Sequence, residues 1–463
     1  MLNVLSREWL NVAVCSSLIA ACASDPVELD ESTTESAITA IGDALPNAPE
    51  GFEEAAAAFN TDEALPDGLG PIFNEIACGR CHTQGALGGA GTQIERRFGT
   101  TFRDNRGNVA FEPLANDGLG PLPARGGSLR QLMTVGSFTS LTGRSCTVPL
   151  EREPPEATIH NVGRLTTPLF GLGLVESLPD STFDNIAASQ PTAIRGIARR
   201  VTVLLPGKDN PTQRLNGTRV GRFGWKAGIA SLTQFAADAY VNEMGITTQH
   251  CVKGTSVLSF ATEQQPNGIA QANDCDDLAP PQPAGNGVPT QTDDAIGSCT
   301  DATGAPVDEI QDDVAEFTEF MTFLAPPPRG TITAQVNRGA TLFNQTGCNG
   351  CHVTTTFRTP AAPGNGVPAN FAFNPFSDFL VHDMGNGADF IGDFGDSVAV
   401  TRRMRTAPLW GARFRTLFMH DGSQTSIAGA ASAHQGQGAT AAAAFNRLSA
   451  AQKADLVAFV NSL

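Results

Sequence analysis

Positive charge is in short supply in this chain. Its 463 residues carry 30 Lys and Arg against 47 Asp and Glu, a net charge of −17. A surface of that sign repels the phosphates of nucleic acids and of anionic membranes, so neither is an expected partner. Long apolar runs are also missing. The 12 residues from Leu10 to Ala21 are too few to span a bilayer and suit the core of an export signal. Nothing further along is long and apolar enough for a membrane helix. Sustained helical periodicity is sparse, while 48 Gly and 30 Pro point to many loops around a modest set of helices. No EF-hand spacing occurs among the acidic residues, so a calcium-binding role for the Asp-rich segment has no motif behind it. With 41% hydrophobic residues the chain can still bury more than one core, and its length predicts about two or three domains.

Against these absences stand two short stretches, Cys78-Gly79-Arg80-Cys81-His82 and Cys348-Asn349-Gly350-Cys351-His352. Both spell C-x-x-C-H, the attachment signature of c-type haem. Two thiols three residues apart reach the two vinyl groups of one porphyrin, and the adjacent histidine then falls beneath the iron as its proximal ligand. The chain holds 10 Cys and 7 His, frequencies at which one accidental copy should occur in roughly 0.3% of such sequences and two in about one per hundred thousand. Zinc knuckles and redox C-x-x-C pairs need no histidine directly after the second cysteine. The sequence therefore predicts two covalently bound haems c, with His82 and His352 as iron ligands. The motifs lie 270 residues apart, too far for one small cytochrome, so each haem is expected in its own domain.

Haem attachment of this kind requires export, and the start of the chain agrees. Ile19-Ala20-Ala21-Cys22 looks like a bacterial lipobox, in which Cys22 would be lipidated and become the mature N-terminus; an ordinary signal cleaved near Ala21 or Ala23 is the alternative. The expected location is the periplasmic side of a bacterial envelope, as an outer-membrane-anchored lipoprotein that touches the membrane only through a lipid at Cys22. After the leader and haem cysteines are set aside, Cys146, Cys251, Cys275 and Cys299 remain, an even number that predicts two disulfides in an oxidising compartment. Three connectivities are open, with Cys275–Cys299 favoured as a local clip.

Residues 1–21 thus read as a lipoprotein-type signal peptide and 22–60, acidic and Ala-rich, as a flexible tether with room for one helix. An N-terminal c-haem domain follows over 61–261, with a short apolar helix, Ile72 to Ala77, delivering Cys78. Residues 262–330 read as a Pro/Asp-rich loop and linking helix. There Ile310, Val314, Phe317, Met321 and Leu324 mark one helical stripe, stopped by Pro326-Pro327-Pro328. The C-terminal cytochrome c domain covers 331–463. It ends in a helix with a Ser449/Gln452 capping box and an apolar face of Leu456, Phe459, Val460 and Leu463. The expected fold class is mainly α, two cytochrome-c-like haem domains with long irregular loops.

Several longer strings carry a resemblance. Phe376-Ser-Asp-Phe-Leu-Val-His382-Asp383-Met384-Gly385, Arg405-Thr-Ala-Pro-Leu-Trp410-Gly and Phe418-Met-His420-Asp421-Gly422 resemble the di-haem oxidoreductase, or thiol-oxidoreductase-like, family. Phe170-Gly-Leu-Gly-Leu-Val-Glu176 and Gly221-Arg-Phe-Gly-Trp225-Lys226-Ala fit it as well. The likeness runs over roughly residues 65 to 463 and extends, more distantly, to the bacterial dihaem cytochrome c peroxidases, the dihaem enzyme that matures methylamine dehydrogenase, and the rubber oxygenases. It implies two c-haem domains packed face to face, one haem passing electrons and the other meeting oxygen or peroxide. A calcium ion between the haem domains, as in relatives, is a further implication.

For the sixth ligand of the second haem the candidates are Met384, Met404, Met419, His420 and His434. In the relatives this residue lies some way past the His-Asp-Gly turn, which singles out His434, with Met384 as runner-up and a surface histidine as the plain alternative. For the first haem the nearby options are His160, Glu176, His382 and Lys226, or an open distal side. Glu176 sits in the apolar run Leu172 to Leu178, so its carboxylate is either paired or a distal acid–base group. Trp225 and Trp410 are packing residues by default, while the resemblance implies an electron relay between haems, a role assigned to Trp225. Arg402, Arg403 and Arg405 form a basic cluster in an acidic protein, and Arg405 is expected to hold a haem propionate.

The resulting expectation is an exported dihaem oxidoreductase with peroxidase-like or oxygenase-like chemistry. It would take electrons from a redox partner protein and use a small oxidant such as peroxide or dioxygen. A non-catalytic dihaem electron carrier is the competing reading.

Overall fold

A computed structural model describes residues 38–115, 127–140, 142–207, 213–248, 250–252, 255–257, 265–269, 275, 303–306 and 312–463. The expected export signal, the lipobox Cys22, Cys299 and Ile310 lie outside the described residues. Among those described, no helix is long and apolar enough to cross a membrane.

The mainly α expectation is corrected. The described residues are 33% helical and 18% strand, with many small sheets. The largest sheet is built on the strand Ile94–Arg103, which pairs antiparallel with Val109–Pro113, Leu129–Arg130 and Ile159–Leu165. The local signal was present. Asp104-Asn105-Arg106-Gly107 is a tight turn, with Gly107 at φ +84° where residues with a Cβ are strained. Asp104 caps it by accepting from the Arg106 and Asn108 amides, each at 2.8 Å. Before the turn, Thr101 and Arg103 are exposed while Thr100 and Phe102 are half-buried, the period of two that marks a strand. The expected helix Ile72 to Ala77 is also corrected: Ile72–Phe73 is a strand paired with Met133–Thr134, and the helical turn is Cys78–Cys81 itself.

Three helices make the first core. Phe52–Phe59 is rich in alanine, a strong helix former, and carries Glu53 and Glu54 in its first turn, where the helix dipole favours acids. It buries Phe52, Ala55 and Phe59 against the helix Asp312–Phe323, with the Phe59 and Phe320 rings 4.7 Å apart. The helix Leu232–Met244 completes the cluster; Ser231 caps its N-terminus by accepting from the Gln234 amide at 3.0 Å, and Gly245 ends it at φ +74°. Residues read from composition as a tether are thus part of a packed core. A second core draws Leu174, Phe183 and Val220 together with Phe357, Phe373, Phe379 and Trp410, so the two haem-motif regions share apolar interior. Trp410 packs there against Phe373.

The C-terminal unit follows the sequence closely. The Ser449/Gln452 capping box starts the helix Ala450–Asn461, and Leu456, Phe459, Val460 and Leu463 are all buried. This helix crosses Ala334–Gln345 at Gly339, where any Cβ would sit 2.0 Å from the Asp455 carbonyl oxygen; only glycine permits that approach. The favoured Cys275–Cys299 clip is corrected too. Cys275 is bonded to Cys146 across a sequence separation of 129 residues, a pairing that sequence spacing alone cannot select.

Candidate functional site

The helix Ala334–Gln345 leads through Gly347, at φ +82°, into the tight turn Cys348–Gly350 and so to His352. The His352 Nδ1 lies 2.9 Å from the Phe376 carbonyl oxygen. Opposite it, at the C-terminal end of the helix Ile427–Ala433, His434 Nδ1 lies 2.7 Å from the Ala430 carbonyl oxygen. A carbonyl can only accept, so each imidazole carries its proton on Nδ1 and keeps the Nε2 lone pair free. The two ring centres are 6.4 Å apart, with the planes at 75°. Two imidazoles bound to one metal ion from opposite sides, at about 2 Å each, would place their ring centres roughly 6.3 Å apart. Burial holds His352 neutral, down at about 4, and pushes His434 below the usual histidine range, the state in which an imidazole binds metal. The residues therefore fit a six-coordinate haem iron at this motif.

The His434 loop is locked by close backbone packing. A Cβ on Gly436 would meet the Asp383 carbonyl at 2.2 Å, and the Asp383 amide donates to Gln437 Oε1 at 2.7 Å. His382, a first-haem candidate in the sequence, lies at the second motif instead. Its Nε2 is 2.9 Å from Asp378 Oδ2 and its Nδ1 is 3.7 Å from Cys351 Sγ. Burial opposes charge on His382, but the Asp378 carboxylate outweighs it and raises the group to about 10. Cys351, Asp378 and His382 are the group of metal-ligating side chains found among the described residues. One thiol, one imidazole and one carboxylate are a poor donor set for calcium, which takes six to eight oxygens.

At the first motif, Cys78–Cys81 forms one helical turn, and His82 Nδ1 lies 3.0 Å from the Gly89 carbonyl oxygen. Burial pushes His82 down to about 4, and the Thr167 backbone lies against the same ring. The aromatic ring beside it is Phe59, tilted at 60° with centres 5.8 Å apart. The glycines after the motif answer a steric demand: a Cβ on Gly89 would meet Gln84 O at 2.0 Å, and one on Gly91 would meet Cys81 O at 2.1 Å. The turn folds back on its own attachment peptide, and the residues fit a haem held by Cys78, Cys81 and His82.

Trp225 stands behind His420, which lines an open cleft of about 690 Å³. Its indole N–H donates to the Leu165 carbonyl at 2.8 Å, and the Leu165 amide donates to the His420 carbonyl at 2.6 Å. One residue thus clips together Trp225 and His420, whose rings meet edge-on at 6.3 Å. Beneath them is a buried ionic cluster. Asp389 takes Arg164 Nε at 2.7 Å and Lys226 Nζ at 2.5 Å, and Lys226 also donates to the Thr401 and Arg403 carbonyls at 2.7 and 3.0 Å. Lys226, one of the first-haem options in the sequence, is committed to Asp389. His420, Asp389, Thr401, Gln435, His160 and Phe111 are among the residues lining the cleft, and His160 pairs with Glu153 on the surface.

Glu176 is fully buried and lies elsewhere. Its Oε1 accepts from the Leu232 amide at 2.9 Å and from Gln213 at 3.2 Å, while Oε2 accepts from Asn365 at 3.1 Å. This carboxylate is paired, and it steadies the start of the helix Leu232–Met244. Arg405 is buried, donating to the Gly224 and Thr406 carbonyls at 2.8 and 3.2 Å. It lines a narrow cavity with Trp225 and Arg415. Sequence reasoning missed Asp389 and Arg415. Asp389, inside Ala388-Asp389-Phe390-Ile391, carried the same signal as Glu176, an acid in an apolar run; Arg415 carried none.

No curated protein matches the chain. Among solved structures, Kuenenia stuttgartiensis hydrazine synthase, pressurised with 20 bar xenon, is 17% identical over 34% of this chain and 57% of that one, with a TM-score of 0.23. The likeness spans less than two thirds of that chain and is too slight to carry an argument. Residues 290–463 match the family described as "Di-haem oxidoreductase, putative peroxidase", a span that includes the second C-x-x-C-H motif, Arg405 and His434. Over residues 290–463, rather more than a third of its length, the chain is similar to the di-haem oxidoreductase family.

Proposed function

We propose that the protein is an exported c-type dihaem enzyme. Thioethers at Cys78/Cys81 and Cys348/Cys351 hold the two haems, with His82 and His352 as proximal ligands and His434 as second ligand of the C-terminal iron. When bound, the haems would supply the redox chemistry, with His352 and His434 holding the one that would accept electrons from a partner protein and His82 holding the one that would be open to peroxide or dioxygen. The observation that carries this reading is the His352–His434 pair, set at the spacing of two imidazoles on one metal ion, while the ring beside His82 is a phenylalanine.

The chain's own groups do the rest. The Nδ1–carbonyl bonds fix the tautomers that offer Nε2 to iron. Trp225, held by Leu165, lies between the narrow cavity beside His82 and the cleft edged by His420, a position that suits an electron relay. Asp389, Arg164 and Lys226 hold that wall in place. Glu176 acts as a positioning residue, orienting the segment after Phe170 against the helix Leu232–Met244. Export and anchoring through Cys22 follow from the same reading and are checked by whether the mature N-terminus is a lipidated cysteine.

The spectrum of the oxidised holoprotein tests the proposal. It is expected to show a low-spin bis-imidazole species together with a high-spin species that shifts on adding cyanide. Two low-spin species indifferent to cyanide would make the protein an electron carrier instead.

A further inference from the structure

Among the described residues, no carboxylate pairs with Arg415. The residue is half-buried, its Nε is shielded from water without a hydrogen-bond partner, and the guanidinium packs 5.5 Å from the Phe418 ring. The residues on either side of it grip the first motif. Gln84 Nε2 donates to Thr416 Oγ1 at 2.6 Å, and the Thr416 amide donates back to Gln84 Oε1 at 3.3 Å. A Cβ on Gly85 would lie 3.0 Å from Phe414. Gln84 is two residues beyond His82, so this C-terminal segment is docked at the N-terminal haem peptide.

Arg415 and Arg405 line one narrow cavity whose other walls include Leu172, Phe223, Trp225 and Phe235. Thr167 lines it too, and its backbone lies against the His82 ring. The cavity lining holds no carboxylate. Arg405 spends Nε and Nη1 on main-chain carbonyls, which satisfy hydrogen bonds but not charge. Taking a guanidinium out of water without a paired anion is costly, and loss of solvent pushes both arginines down to about 10, a shift that the Asp378 carboxylate partly offsets at Arg405. Groups that would satisfy two such guanidinium forks are carboxylates reaching them from beside Thr167.

We propose that Arg415, together with Arg405, holds the propionate carboxylates of the haem whose iron His82 ligates, so that the C-terminal segment completes the N-terminal haem site. This rests on the reading of His82 as a haem ligand. Each guanidinium offers a planar fork that matches a carboxylate, and its positive charge favours the reduced iron.

The test is a redox titration of the holoprotein, followed optically so that the two haems are resolved, in wild type, Arg415→Gln, Arg415→Lys and Arg405→Gln. The two Gln variants are expected to keep both haems and to shift the midpoint of the cyanide-responsive haem to lower potential, leaving the bis-imidazole haem in place. Arg415→Lys, which keeps the charge, should recover most of the shift. Two unmoved midpoints in Arg415→Gln, or a shift confined to the bis-imidazole haem, overturn the proposal. So does a formate-induced spectral change in wild type that Arg415→Gln abolishes without moving either midpoint, since that marks a site for a free carboxylate. A Cys78–Cys81 peptide of bare mass in wild-type protein removes the haem reading at His82 and this proposal with it.

Discussion

His352 and His434 face each other with ring centres 6.4 Å apart, each tied through Nδ1 to a main-chain carbonyl, His352 to that of Phe376 and His434 to that of Ala430 in its own helix. Neither bond depends on the other, so the two Nε2 atoms are presented before any metal arrives, and the geometry is that of a ligand pair rather than a stacking contact. His434→Ala is expected to convert one of the two haems from low-spin to high-spin, with added imidazole restoring the original spectrum. Unchanged spin states in that variant would remove His434 from the iron.

How much of this could be read in the chain depends on how local the chemistry is. The C-x-x-C-H motifs, the Ser449/Gln452 capping box and the helix stripe through Val314, Phe317 and Met321 are set by residues within one or two turns of each other. The hairpin turning at Asp104–Asn108 was equally local but lay outside a search for helical periods. Cys146–Cys275 and the Arg164–Asp389–Lys226 cluster join segments 129 and more residues apart, where no periodicity reaches. Arg415 was invisible for a different reason. An arginine in an irregular stretch reads as solvated, and only the docking of Phe414 and Thr416 on Gln84 and Gly85 half-buries it.

The buried carboxylate of Asp389 gives a pH signature. Burial alone would raise it, but Arg164 and Lys226 more than reverse that and hold it at about 2, below the unfolded value of about 3.9. A group depressed on folding contributes stability that is complete above its unfolded value and is lost as the pH falls through the folded one. Stability should therefore drop between about pH 4 and pH 2 with an Asp389-dependent component. Asp389→Asn, which leaves two buried cations short of an anion, should cost about 3–5 kcal/mol at neutral pH and flatten that acid limb. Denaturant melts across this pH range check both; parallel curves for the two proteins would show that the cluster does not act this way.

Glu176 separates a positioning role from a chemical one. Three donors converge on its carboxylate, one of them the first amide of the helix Leu232–Met244. Glu176→Gln should lower stability by about 1–3 kcal/mol while leaving the haem spectra and the cyanide response intact. A variant of wild-type stability that loses peroxide turnover would instead make Glu176 an acid–base group.

The disulfide is checked without mutation. Peptide mapping under non-reducing conditions should recover Cys146 linked to Cys275, and Cys146→Ser should destabilise the protein by about 2–5 kcal/mol. A Cys275–Cys299 peptide would contradict the structure.

The central claim is that two porphyrins are bonded to this polypeptide, one at Cys78/Cys81 and one at Cys348/Cys351. Mass spectrometry of the denatured protein, made in cells competent in cytochrome c maturation, tests it most directly. The account predicts a polypeptide carrying two haem masses that survive denaturation, one on each motif peptide. A colourless product of bare polypeptide mass from such cells would contradict it.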